Sequence, residues 1–206
     1  MRPINRKELW IAELTLLIAA GLQLTISDKL RIGPKYLISS LLILLVFGIA
    51  FTAPKRHLGK AASHITIATL LIAIVSLANA GELALLVSAL IHNSDIPGKS
   101  LLSGALAIFL TNIIVFGLWY WELDSPGLSG RHKKAARDFQ FPQSGKEGWE
   151  PLFFDYLYTS LTNSTAFSPT DTMPLTHIAK LLMSAQALIA LITVVLVTAR
   201  AVNILG

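Results

Sequence analysis

The strongest constraint on this chain is that its apolar residues fall into blocks long enough to cross a bilayer. A spanning helix needs about 20 mostly apolar residues, since the hydrocarbon core is about 30 Å thick. Five blocks reach or approach that length, at residues 9–26, 36–53, 65–91, 101–121 and 178–202. Lipid offers no partner to an exposed N–H or C=O, so such segments cross as α-helices, whose backbone bonds are internal. The third block is longer than one crossing needs and is expected to tilt or project. The first carries Glu13 and Gln23, lacks a small-residue cleavage site and leads at once to a second span. It is read as a retained span rather than a signal peptide.

Hydrophobic residues make up 53% of the chain and charged residues 14%, against about 25% charged in soluble domains. The net charge of +5 does not point to nucleic acid, because Lys and Arg sit in the connectors between blocks. The expected setting is the cell (inner) membrane, crossed several times, with the lipid bilayer as partner. The absence of cysteine excludes disulfides, thiol nucleophiles and Cys-ligated zinc. His57, His64, His92, His132 and His177 are scattered over connectors and span ends, without the spacing of metal ligands. No phosphate-binding glycine loop or hydrolase motif occurs, so neither a cofactor nor an enzyme is expected. Asp155 and Asp171 are the only carboxylates that an intramembrane hydrolase could pair.

Most connectors are short and polar: 27–35 with its Gly33-Pro34 break, 53–64, and 92–100 with Pro97-Gly98. Residues 122–150 are polar, rich in Gly and Pro, and include Arg131-His132-Lys133-Lys134, which predicts an irregular loop along the membrane surface. Residues 151–161 (PLFFDYLYTSL) are helical in pattern but too short to span. Small hydroxylated residues and a proline follow at 163–171, ahead of the last span. Non-helical backbone survives at membrane depth only where protein buries it or water reaches it. This order predicts a re-entrant helix beside a water-lined site. The fold class expected is an all-α integral membrane protein of five transmembrane helices plus that short helix.

Residues 158–202 resemble the pore helix, filter and inner helix of the pore-loop (potassium-channel-like) channels. Tyr158-Thr159-Ser160-Leu161 is similar to the aromatic-x-Ser-Leu end of that family's pore helix. Thr165-Ala166-Phe167-Ser168-Pro169-Thr170-Asp171 falls on its filter signature, Thr-Thr-Val-Gly-Tyr-Gly-Asp. Pro174 and Ala179-Lys180 match the opening of the inner helix, Gln186 falls where some bacterial members have Glu, Ala190 falls on the hinge glycine, and Ala199-Arg200 matches the closing Ala-Arg. The resemblance covers the last quarter of the chain. It implies a homotetramer around a central pore, with residues 101–206 as the pore unit and 1–100 as a three-span region of unassigned role.

The departures bear on selectivity. Ser168 and Thr170 replace the filter's glycines and Pro169 its tyrosine. Potassium selectivity uses stacked backbone carbonyls, in a geometry that glycine supplies and threonine resists. Pro169 fixes its own φ and restricts Ser168. The resemblance therefore implies the architecture without potassium selectivity. Hydroxyls of Thr162, Ser164, Thr165, Ser168 and Thr170 can coordinate hydrated monovalent cations, and four copies of Asp171 would form an acidic ring. The same residues can equally cap helices, and Phe167 suits a plug or a packing role as well as a filter wall.

Among the remaining polar residues, Glu82 sits mid-span beside Asn79 and Gly81, where a charge is costly. A functional role and an interhelix hydrogen bond both fit it, as do a Lys180 partner and a neutral, protonated state. Thr111 and Asn112 suit interhelical contacts. Gln186, Ala190 and Thr193 share a face with Ala179 and Met183, which suits a pore lining. Trp119, Tyr120 and Trp121 read as an interfacial aromatic belt.

Topology carries a conflict. Eleven Lys and Arg fall on the side of the N-terminus, residues 53–64 and residues 122–150, against five (Lys29, Arg31, Lys35, Lys99, Arg200) on the other. The positive-inside rule then places the N-terminus in the cytoplasm, whereas the potassium-channel resemblance implies the reverse. The function expected is passive conduction by a tetrameric, non-potassium-selective cation channel. The alternatives are a non-conducting scaffold, sensor or partner subunit that keeps the pore-loop fold, and then a secondary transporter.

Overall fold

The computed structural model describes residues 6–52, 62–92, 96–124, 137–165 and 171–205. Among them are six α-helices: α1 (Arg6–Leu24), α2 (Leu37–Thr52), α3 (Ala62–Ile91), α4 (Gly98–Asp124), α5 (Phe153–Thr165) and α6 (His177–Leu205). A 3-10 turn at Asp28–Leu30 and two short strands, β1 (Phe139–Gln140) and β2 (Met173–Pro174), complete the set. Among the described residues, three stretches are long and apolar enough to cross a membrane: Thr69–Ile91, Gly98–Asp124 and His177–Arg200. A shorter apolar run, Leu37–Ala50, lies in α2. The chain is thus an all-helical membrane protein.

The helix α4 is the hub. Of its spanning window 72% is buried inside the chain, against 33% for α3 and 22% for α6. α1 offers mostly small residues to α2, since lipid is as apolar as leucine and association relies on close fit and polar bonds. Ala12, Leu16, Ala19 and Ala20 form the buried face of α1 and lie with Ile38, Leu42, Leu45 and Ile49 of α2 in one apolar cluster. Ser39 on α2 donates to the Ala20 carbonyl at 2.9 Å. The connector that follows α1 turns at Gly33, whose φ of +77° is one that a side chain would strain. Arg31 braces it by donating to the Ile26 carbonyl and the Asp28 carboxylate.

The other end of the bundle is folded more tightly than expected. Glu122 and Asp124, which the sequence places in a surface loop, are buried in the last turn of α4. Residues 137–150 lie against the helices through an aromatic cluster. Phe139 lies tilted against Tyr120 at 5.0 Å, and Phe141 meets Tyr156 edge-on at 5.2 Å and lies tilted against Trp149 at 5.7 Å. Residues 125–136, which include Arg131-His132-Lys133-Lys134, lie outside the described residues. The expected aromatic belt is corrected: Tyr120 and Trp121 are fully buried, and Trp119 donates to Ser76 at 2.9 Å. Consecutive helical residues point about 100° apart, and α4 is ringed by other elements at this depth, so three in a row cannot all face lipid.

Candidate functional site

The site is built around α5. Its N-terminus is held at two points: Asp155 accepts the Leu152 N–H at 2.7 Å, and Glu8 of α1 accepts the Phe153 N–H at 3.1 Å. A carboxylate is favoured there by the unsatisfied N–H groups and the helix dipole. Asp155 is therefore used in capping its own helix. Gly117 of α4 lets α5 come close, because a Cβ at that position would stand 3.2 Å from the Leu157 Cα.

α5 is amphipathic in the inverted sense. Toward its C-terminal end the buried face carries Thr159, Ser160, Asn163 and Ser164, while Phe154, Tyr158 and Leu161 are exposed. The buried polar groups converge on Gln186 of α6. Its Nε2 donates to the Ser160 carbonyl at 3.0 Å, the Ser160 hydroxyl at 2.6 Å and the Ser164 hydroxyl at 2.8 Å. Its Oε1 accepts from Asn163 at 2.9 Å and from the Tyr120 hydroxyl. Asn163 also donates to the Met183 carbonyl at 2.9 Å, and Ser160 to the Ile113 carbonyl at 2.6 Å. One network thus locks α4, α5 and α6 together, with every member buried, as polar groups at this depth must be.

A second network fixes the chain on either side of α5. The Asp124 carboxylate accepts the Tyr156 hydroxyl at 2.8 Å and the N–H groups of Asp138 and Phe139. Burial, and then the adjacent Asp124, push the Tyr156 phenol well above its ordinary range, so it remains a proton donor. Thr176 donates to Asp138 and accepts the Ala179 N–H at 3.3 Å, capping α6. β1 runs antiparallel to β2, with Phe139 opposite Pro174 and Gln140 opposite Met173. Thr159 donates to Thr172 at 3.3 Å. The chain leaving toward α5 and the chain arriving at α6 therefore lie side by side.

The filter-like residues divide. Ala166, Phe167, Ser168, Pro169 and Thr170 lie outside the described residues. The hydroxyls of Thr162 and Thr165 bond to carbonyls of their own helix, at Tyr158 and Leu161, and Ser164 belongs to the Gln186 network. Asp171 is exposed, two residues before β2. Gln186, Ala190 and Thr193, expected on a pore wall, are instead buried within the chain. A stripe of small and polar residues serves a helix contact as well as a pore, and here α4 and α5 occupy it. Outward, α6 presents Leu181, Leu188, Leu191, Ile192 and Val195.

Glu82 is fully buried at the level where α1 ends. The groups facing it are the Gln23 amide, the Ile32 N–H and the Arg31 guanidinium. Neither carboxylate oxygen has a partner at hydrogen-bond distance among the described residues. Lys180 is not one of its neighbours and is exposed near the start of α6. Asn79, one turn before Glu82, donates to the Ile108 carbonyl at 3.2 Å and so joins α3 to α4. Thr111 and Asn112 are buried in helix contacts, with their side-chain polar atoms unbonded among the described residues. Among those residues no group of three or more His, Asp or Glu is placed to hold a metal ion.

Tyr120, Asp124, Ser160 and Asn163 were not singled out from sequence as site residues. For Ser160 and Asn163 the signal is the polar run on the same face of the short helix, at 159, 160, 163 and 164, whereas no local pattern marks Tyr120 and Asp124 on α4. Compared with family models, curated proteins and solved structures, the chain matches none.

Proposed function

We propose that this chain is the subunit of a tetrameric cation channel that does not select for potassium. In this reading α1, α2, α3, α4 and α6 cross the membrane, and α5 dips in and returns. The observation that carries it is the pairing of β1 with β2. The segments flanking α5 and the polar stretch after it lie side by side, which suits a loop that enters and leaves on one side. At about 1.5 Å per residue, α5 is about 20 Å long, short of the hydrocarbon core of about 30 Å. Its outward apolar face suits contact with lipid or with neighbouring copies. The last turn of α5 has no basic residue, so its partial negative charge is free to favour cations. Asp171 adds a carboxylate on the way out.

A second reading has its own support. The polar stripe of α6 is consumed inside the chain, and the outward face that remains is apolar. That face suits a non-conducting partner or scaffold subunit with the same fold.

Native mass spectrometry from a mild detergent, followed by cation flux into liposomes, tests both readings. A tetramer that passes sodium and potassium at comparable rates is the expected result. A monomer or dimer would leave a four-loop pore unclosed and overturn the channel, whereas a tetramer without flux would favour the second reading.

A further inference from the structure

Near the start of α4 and the end of α6 a shallow, half-open groove runs between α3, α4 and α6. Its walls are apolar, formed by Leu86 and Leu90, Leu102 and Ala105, and Leu196, and Arg200 stands at its rim. The Nε of Arg200 is buried without a hydrogen-bond partner, and no ion pair joins Arg200 to a carboxylate among the described residues. An unneutralised guanidinium over an apolar slot at the end of a membrane helix is complementary to one kind of molecule, an anionic head joined to a hydrocarbon tail. A bare anion would leave the slot unused, and a neutral lipid would leave Arg200 unpaired.

We infer that this groove binds an anionic phospholipid, with an acyl chain lying along its apolar walls and the phosphate on Arg200. Guanidinium is the group best shaped to grip phosphate through two parallel N–H bonds. A basic pocket between transmembrane helices is a recurring form of lipid head-group site. The inference does not depend on conduction and stands or falls apart from it.

The test uses the purified full chain in nanodiscs of phosphatidylcholine alone and of phosphatidylcholine with phosphatidylglycerol, with melting temperature and lipid retained in native mass spectra as readouts. Phosphatidylglycerol is expected to raise the melting temperature by a few degrees and to be retained in preference to phosphatidylcholine. Arg200→Gln should abolish both effects, and Arg200→Lys should restore part of the retention. Leu102→Trp, which fills the slot and leaves the charges intact, should abolish the preference as well. Equal retention of both lipids by the unaltered chain, or an undiminished preference in Arg200→Gln or Leu102→Trp, would overturn the site. A change of oligomeric state in Leu102→Trp with lipid preference intact would mark the groove as a contact between copies, and the proposal would fail.

Discussion

Nε2 of Gln186 lies 2.6 Å from the hydroxyl oxygen of Ser160 and 3.0 Å from its carbonyl oxygen. One side chain on the last span thus holds the short helix at two points of the same residue. Gln186→Leu would leave Ser164, Asn163 and Tyr120 short of partners in a buried setting. Interhelical bonds in a bilayer average about 0.6 kcal/mol and reach about 1.7 kcal/mol, so losing several should cost about 2 kcal/mol. For a chain of this size that lowers the melting temperature by roughly 4–8 °C. Thermal unfolding of the purified protein in detergent measures it. An unchanged midpoint would mean that the network carries no net stability.

The phenol of Tyr156 closes a different link, between α5 and the Asp124 carboxylate at 2.8 Å. Tyr156→Phe keeps the ring and its contact with Phe141 but removes the donor. A bond to a charged group is worth about 1.5–3 kcal/mol, and the loss should appear as a lower melting temperature. In a double-mutant cycle with Asp124→Asn the two changes should be less than additive, because they remove the same bond. Additive losses would show that the two side chains act separately.

Long apolar blocks are legible in a sequence because length and hydropathy suffice to define them, and α3, α4 and α6 were read to within about three residues at each end. The short helix was legible too, since eight of the eleven residues at 151–161 are apolar or aromatic, although the helix runs on to Thr165, into the stretch read as non-helical. Which face of a helix turns inward was not legible. In water the polar face is the outer one, but α5 buries Thr159, Ser160, Asn163 and Ser164 and exposes Phe154 and Tyr158. The stripe of Ala179, Met183, Gln186, Ala190 and Thr193 had the right period, yet period alone does not say whether a neighbour or a pore lies opposite. The folding of residues 137–150 onto α4 and α5 was hidden for a further reason. It depends on pairing β1 with β2 across more than thirty residues, which no local pattern reports.

In the channel reading, Asp171 is the exposed carboxylate nearest the polar stretch. Asp171→Asn removes one negative charge per subunit and four from a tetramer. Cation preference over anions should fall, shifting the reversal potential of reconstituted channels in a salt gradient toward zero. The shift should be largest at low ionic strength, where screening is weak. A reversal potential identical to that of the unaltered protein would remove Asp171 from selectivity, whatever the fate of the channel itself.

The absence of cysteine makes topology directly measurable, because any introduced thiol is unique. Glu147 precedes α5 and Met173 follows the polar stretch, and both are exposed; Lys35 is exposed in the connector between α1 and α2. With five spans and a re-entrant α5, Glu147→Cys and Met173→Cys must react with a membrane-impermeant maleimide from one side, and Lys35→Cys from the other. If residues 147 and 173 are labelled from opposite sides, α5 and the stretch after it cross the membrane and there is no re-entrant loop. If all three are labelled from one side, the count of five spans fails. The side itself decides between two physical forces. Labelling of 147 and 173 from the cytoplasm would mean that the eleven basic residues on their side set the orientation, as the positive-inside rule requires. Labelling from outside would mean that the chain is oriented as a potassium channel is, against its own charge distribution.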